Sequence, residues 1–320
     1  MGETVRPRSV ALHRFAVVTA LATLGLIVAG GLVTSTESGL SVPDWPLSYG
    51  RLMPPMVGGV FYEHGHRMVA TTVGVLTVVL AIWLARREPR RWVRRLGLFA
   101  VSTIVAQGLL GGLTVIFLLP TAVSVAHACL AQTFFCLTVA IAVVTSPRWK
   151  PGAEKKERLP RLAALTAGAV FLQLAIGAVM RHTKAGLAIP DFPLSLGRIV
   201  PPLDSFPVAI AFAHRAWAIA VAGLVFATVP AALSAGRRRT GLFLGALVLL
   251  QIALGAMTVL SRKNVAITTA HVATGALLLG TSLALCLGAM SRNRASEAPA
   301  SKLSGRRSRS ERRGPVFAWK

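Results

Sequence analysis

The sequence predicts an all-α integral membrane protein: eight transmembrane helices arranged as two parallel four-helix repeats, related by a pseudo-twofold axis along the membrane normal. Three observations carry this expectation: eight apolar runs of spanning length, basic residues confined to alternate loops, and an internal duplication that keeps its order. Of the 320 residues, 54% are apolar and 14% charged, with a mean hydropathy of +0.63. That composition lies outside the range of soluble globular domains.

A hydrocarbon core of about 30 Å needs about 20 mostly apolar residues per helix. The chain supplies such runs at Phe15–Val33, His66–Ala85, Leu96–Phe117, Ala122–Thr145, Leu162–Met180, Ala211–Ala235, Gly241–Leu260 and Val265–Met290. The first follows a short basic segment, as a secretory signal would, but its length and the spans behind it favour a retained helix. Cys129, Cys136 and Cys286 all fall inside these runs, without a CxxC pattern, and read as small packing residues.

The net charge of +24 points to membrane topology rather than to nucleic acid because of where the charges sit. Of 35 Lys and Arg, 27 lie in the N-terminal tail, the Arg86–Arg95 and Arg148–Arg161 loops, the Arg237–Arg239 turn and the C-terminal tail. An even number of spans puts all five segments on one side, and the positive-inside rule makes that side cytoplasmic. The Ser- and Arg-rich tail after Met290 reads as disordered and fit to touch anionic lipid.

The duplication is explicit. Gly39-Leu-Ser-Val-Pro-Asp-Trp-Pro-Leu-Ser-Tyr-Gly-Arg51 returns 147 residues later as Gly186-Leu-Ala-Ile-Pro-Asp-Phe-Pro-Leu-Ser-Leu-Gly-Arg198. His66-Arg67 returns as His214-Arg215, Gln107 and Gly111 as Gln251 and Gly255, and His127 as His271. Four spans per unit insert both units in the same direction, giving parallel repeats. The expected division is an N-terminal half at 12–146, a cytoplasmic linker at 147–160, a C-terminal half at 161–290 and a basic tail at 291–320. In the repeated outer loop, Trp45 or Phe192 could rest at the interface, while Asp44 and Asp191 either hold the turn or point at a ligand.

His66, His127, His214 and His271 stand near the starts of the even-numbered spans, at one depth near the non-cytoplasmic face. Ionisable groups at such depth face protein, water or a cofactor. Two imidazoles from different helices suit the two axial positions of a haem iron, so the expected pairs are His66 with His127 and His214 with His271. Arg67 and Arg215 are candidates to neutralise propionates, with snorkelling to headgroups as the alternative. Gly108, Gly111, Gly112, Gly177 and Gly255 would permit close approach of helices or cofactor. Glu63 precedes His66 by three residues, where the second half has Ala211, so only the first half offers a carboxylate to take or relay protons. A helix-terminal charge is its alternative role. His64 and His182 are secondary candidates.

Glu63-His-Gly-His66-Arg67, the Gly39–Gly50 loop, Ala126-His127-Ala128, Phe212-Ala-His214-Arg215 and Thr269-Ala-His271 together resemble the haem A synthase family, over about residues 12–290. The resemblance implies oxidation of the C8 methyl group of haem O to the formyl group of haem A by successive water-derived hydroxylations. It implies that Glu63 is the essential carboxylate and that His66 and His127 hold the substrate haem. It places a haem b cofactor on His214 and His271. Some members carry cysteine pairs in the outer loops; Ser35–Arg51 and His182–Pro202 contain none, which argues against thiol chemistry here.

The implied partners are haem O, an electron acceptor, membrane lipid, and as further candidates the haem O-producing farnesyltransferase and oxidase assembly factors, with no nucleic acid. The implied location is a bacterial inner membrane with both termini cytoplasmic. The competing expectation is a dihaem electron carrier or quinol oxidoreductase subunit, which gives Glu63 no special reason to occur once. A transporter would need a polar path that the mostly apolar mid-spans do not provide.

Overall fold

The computed structural model describes residues 9–150, 152 and 158–291. Six of the fourteen residues of the expected linker and nearly all of the expected basic tail therefore lie outside the described residues. The fold is all-helical. Eight long helices run as α1 (Val10–Ser35), α2 (Gly59–Arg87), α3 (Arg91–Ile116), α4 (Thr121–Thr145), α5 (Arg158–His182), α6 (Phe206–Ser234), α7 (Arg238–Leu260) and α8 (Val265–Ala289). All eight are long and apolar enough to cross a membrane. A 3₁₀ turn, Ala185–Leu187, follows α5.

Sequence and structure differ most at the starts of α2 and α6. Each begins before its apolar run, at Gly59 rather than His66 and at Phe206 rather than Ala211. Tyr62, Glu63, His64 and His66 depress hydropathy without breaking the helix. The result matters, because His66 sits two turns inside α2 and Glu63 is past its first turn, so Glu63 is not a charge at the helix terminus.

Within the first four helices, α1 packs on α2 and α4, and α3 packs on the same two; within the last four, α5 packs on α6 and α8, and α7 on the same two. Each set is thus a ring in which the His-bearing helices occupy opposite corners. The sets meet where α8 touches α1 and α4 and where α4 touches α5. The core divides in the same way. One cluster is built from Leu12, Leu80, Leu84, Phe134 and Ile141, another from Leu159, Val225, Leu244, Leu279 and Leu285, and a small one joins Ile27, Phe135 and Ala276 between them.

Outward-facing Leu21, Leu98, Phe99 and Ile219 are each more than 60% exposed, an apolar surface suited to lipid. Lipid tails remove the usual hydrophobic drive between helices, so close packing and satisfied polar groups must hold them together. Buried threonines accordingly bond back to carbonyls four residues earlier: Thr23 to Thr19, Thr77 to Val73, Thr228 to Leu224. Thr166 and Thr228 also join α5 to α6 hydroxyl to hydroxyl at 2.8 Å.

On the face opposite the repeated loops, Arg90 is a latch. It pairs with buried Glu88 at 2.7 Å, donates to the Val144 carbonyl at the end of α4 at 2.9 Å, and lies over the rings of Trp92 and Trp149. Trp149 in turn donates to the Leu287 carbonyl of α8. Arg90→Ala leaves a buried carboxylate without this guanidinium and is expected to cost about 2 kcal/mol or more, read as a fall in thermal unfolding temperature in detergent. An unchanged midpoint would mean the latch carries no stability.

Candidate functional site

The site begins in the two outer loops, whose backbones repeat each other. Asp44 accepts the N–H groups of Tyr49 and Gly50 at 2.6 and 2.8 Å, and Asp191 those of Leu196 and Gly197 at 2.7 and 2.8 Å. The turn pairs Ser48 with Arg51, and Ser195 with Arg198, and its central residues have positive φ, at Tyr49-Gly50 and Leu196-Gly197. Positive φ at both centres is the hairpin geometry that glycine accommodates. Trp45-Pro46 and Phe192-Pro193 are both cis. Of the two roles open to Asp44 and Asp191, the structure shows turn-holding.

The Gly50 N–H bond above all holds the Asp44 carboxyl below its ordinary value of 3.8, and the Gly197 N–H does the same for Asp191. A folded value below the unfolded one means that the turn's stabilisation is complete above about 3.8 and is lost as pH falls through the lower folded value. Protection of the Tyr49 and Leu196 amides from hydrogen exchange, taken relative to the intrinsic rate at each pH, is therefore expected to be high at pH 5 and to fall in stronger acid. Asp44→Asn should quicken Tyr49 alone and flatten its acid dependence; equal quickening at both loops would contradict independent turns.

Arg67 and Arg215 tie these loops to α2 and α6, and here the halves part. Arg215 donates directly to the Ile189 and Leu194 carbonyls, both at 2.8 Å. Arg67 donates to the Asp44 and Leu47 carbonyls, but its other terminal nitrogen meets Glu63 Oε1 at 2.7 Å. Glu63 Oε2 accepts the Val42 N–H at 2.9 Å. Val42 is the repeat mate of Ile189, so Glu63 stands between arginine and loop where the second half has a direct bond. The carboxylate is 4% exposed and clamped from two sides. His64, next to it, bonds to Ser48 Oγ at 2.8 Å and belongs to this loop clamp.

The four histidines share one arrangement. His66 and His127 are within electrostatic reach of each other, as are His214 and His271. Each ring lies edge-on against a glycine of the preceding helix: a Cβ added at Gly30, Gly111, Gly177 or Gly255 would stand 3.1, 3.2, 3.0 or 3.1 Å from Cε1 of His66, His127, His214 or His271. Any side chain there would displace the ring. The Nδ1 atoms of His66, His127 and His271 are buried without a hydrogen-bond partner. Buried polar atoms are rarely left so. Paired imidazoles with orphaned nitrogens, on opposite corners of a helix ring and with glycine clearance, fit a haem held by two axial histidines.

Glutamine amides attend three of the four rings. Gln107 contacts His127 Nε2 and its carbonyl, Gln251 contacts His271 Nε2, and Gln173 contacts both ring nitrogens and the carbonyl of His214. The repeat mate of Gln173 is Leu26, so His66 has no such neighbour.

The small residues differ in what they do: a Cβ added at Gly108 would meet nothing within 4 Å, so no helix packs closely there, whereas Gly112 lies under the Trp45 ring, which stays 38% exposed. Gly30, Gln173 and Arg181 were not anticipated. Applying the 147-residue offset upstream of the repeated loop pairs Gly30 with Gly177, and it also exposes Leu26 opposite Gln173 and Thr34 opposite Arg181.

Fold and site together define a multi-span membrane protein with two histidine pairs suited to haem. Residues 13–59 and 56–283 match the COX15-CtaA family model, described as cytochrome oxidase assembly protein, and the chain belongs to that family. It is 30% identical over 306 residues to the heme A synthase of Halalkalibacterium halodurans, covering 89% of this chain and 100% of that one. It is 32% identical over 219 residues to the heme A synthase of Shouchella clausii, covering 65% and 71%. To the heme A synthase of Caulobacter vibrioides it is 30% identical over 343 residues, covering 87% and 95%.

Proposed function

We propose that this chain is a haem A synthase of a bacterial inner membrane, oxidising the C8 methyl group of haem O to the formyl group of haem A. In this reading residues 12–146 form the substrate half and residues 161–290 the cofactor half, as parallel repeats about an axis normal to the membrane. Matching loop backbones, matching helix rings and the ordered sequence repeat support that division. The one-sided basic residues support cytoplasmic termini.

The observation that carries the assignment of roles is Glu63, a buried carboxylate one helical turn from His66, with alanine in its place in the second half. Conversion of a methyl group and one water to a formyl group releases four protons and four electrons. Glu63 is the group positioned to take protons from the reacting substrate. Each of its oxygens keeps a free lone pair beyond the bonds to Val42 and Arg67. His66 and His127 would hold the substrate iron, and Gly30 and Gly111 leave room for their rings. His214 and His271 would hold haem b, which supplies one-electron transfer when bound. Arg67 and Arg215 pin the outer loops over their halves and so limit access of water. The farnesyl tail of haem O would lie among apolar side chains.

The test is pigment extraction from membranes of cells that make haem O but lack their own haem A synthase. Haem A is expected only when this chain is expressed. Haem b bound to the purified protein, with haem O present and never converted, would favour the dihaem electron carrier.

A further inference from the structure

Arg181 closes α5, the first helix of the second half, yet its bonds cross to the first half. It donates to the Gly31 carbonyl at 3.1 Å and to Ser35 Oγ at 2.8 Å, both on α1. Ser35 also takes the Thr269 hydroxyl of α8, two residues before His271. The guanidinium is half-buried and within electrostatic reach of His271 and His182, and His182 in turn reaches His127. No described carboxylate lies within ion-pair distance of Arg181. Arg67 and Arg215 spend both terminal nitrogens within their own halves.

A permanent cation held among neutral groups in a membrane protein is costly unless an anion meets it. Arginine presents several donors in a plane, matched to a carboxylate. Resting on the reading that His214 and His271 hold a haem, we propose that Arg181 is the receptor for a propionate carboxylate of that haem. The first half contributes the α1 carbonyl and hydroxyl that aim it. Thr34 stands at the matching place in the first half, so the substrate haem lacks this anchor.

The experiment compares haem b with its propionate dimethyl ester in the full-length chain carrying His127→Ala, which confines added haem to the second half. Arg181→Gln is expected to weaken haem b by roughly ten- to a hundredfold, the range for a charge-assisted hydrogen bond, and to leave the ester unchanged. Arg181→Lys should keep most of the preference for the free acid. Equal weakening of both haems by Arg181→Gln would make Arg181 a packing residue and overturn the proposal, as would no effect on either. If haem b fails to bind the His127→Ala chain but binds when His271 is replaced instead, the assignment of the cofactor half falls, and the proposal with it.

Discussion

Glu63→Gln is expected to lower conversion of haem O to haem A at least about a hundredfold, the low end for loss of a positioned proton acceptor, while leaving both haems bound. The amide can still accept the Val42 N–H, so one side of the clamp survives. What it loses is the proton-accepting oxygen and the ion pair with Arg67. Glu63→Asp keeps the chemistry but shortens the reach and should retain partial activity. A purely structural Glu63 would give a different pattern, in which Gln and Asp release haem from the first half in proportion to lost activity. The measurement is extracted pigment and turnover on the same preparations, and a Gln variant with near wild-type turnover would remove Glu63 from the chemistry.

The second large effect concerns glycine. Gly255→Val places a side chain 3.1 Å or less from the His271 ring and is expected to remove haem b while haem O binding in the first half persists. Gly30→Val should do the reverse through His66. Gly255→Ala sharpens the point: on helix propensity alone it would stabilise α7 by about 1 kcal/mol, yet the added methyl group must still push the ring. Loss of haem b in the alanine variant alongside a stable helix bundle would identify ring clearance as the purpose of the glycine. Retention of haem b in both variants would contradict it.

All eight spans were legible in the sequence, as was the repeat that singles out four histidines, because spanning length and a repeat in fixed order are strong signals. The start of α2 was not. A hydropathy window reports transfer to lipid, and Glu63, His64 and His66 score poorly although the helix runs through them from Gly59. Nor did the sequence choose between the two roles of Asp44, because turn-holding depends on where the Tyr49 and Gly50 N–H groups point. Gln173 and Arg181 escaped for another reason: they have no mate in the first half, and a search built on repetition favours what recurs. The differences between the halves carry as much information as the likenesses, since Glu63 against Ala211, Leu26 against Gln173 and Thr34 against Arg181 all fall beside the histidine pairs.

The claim that ties these together is that one chain holds two unlike haems, a substrate on His66 and His127 and a cofactor on His214 and His271. Pigment extraction from purified His66→Ala and His271→Ala proteins, each supplied with haem O, tests it most directly. The account predicts that His66→Ala loses haem O and keeps haem b, and that His271→Ala loses haem b and keeps haem O unconverted. Loss of the same pigment from both variants would contradict it.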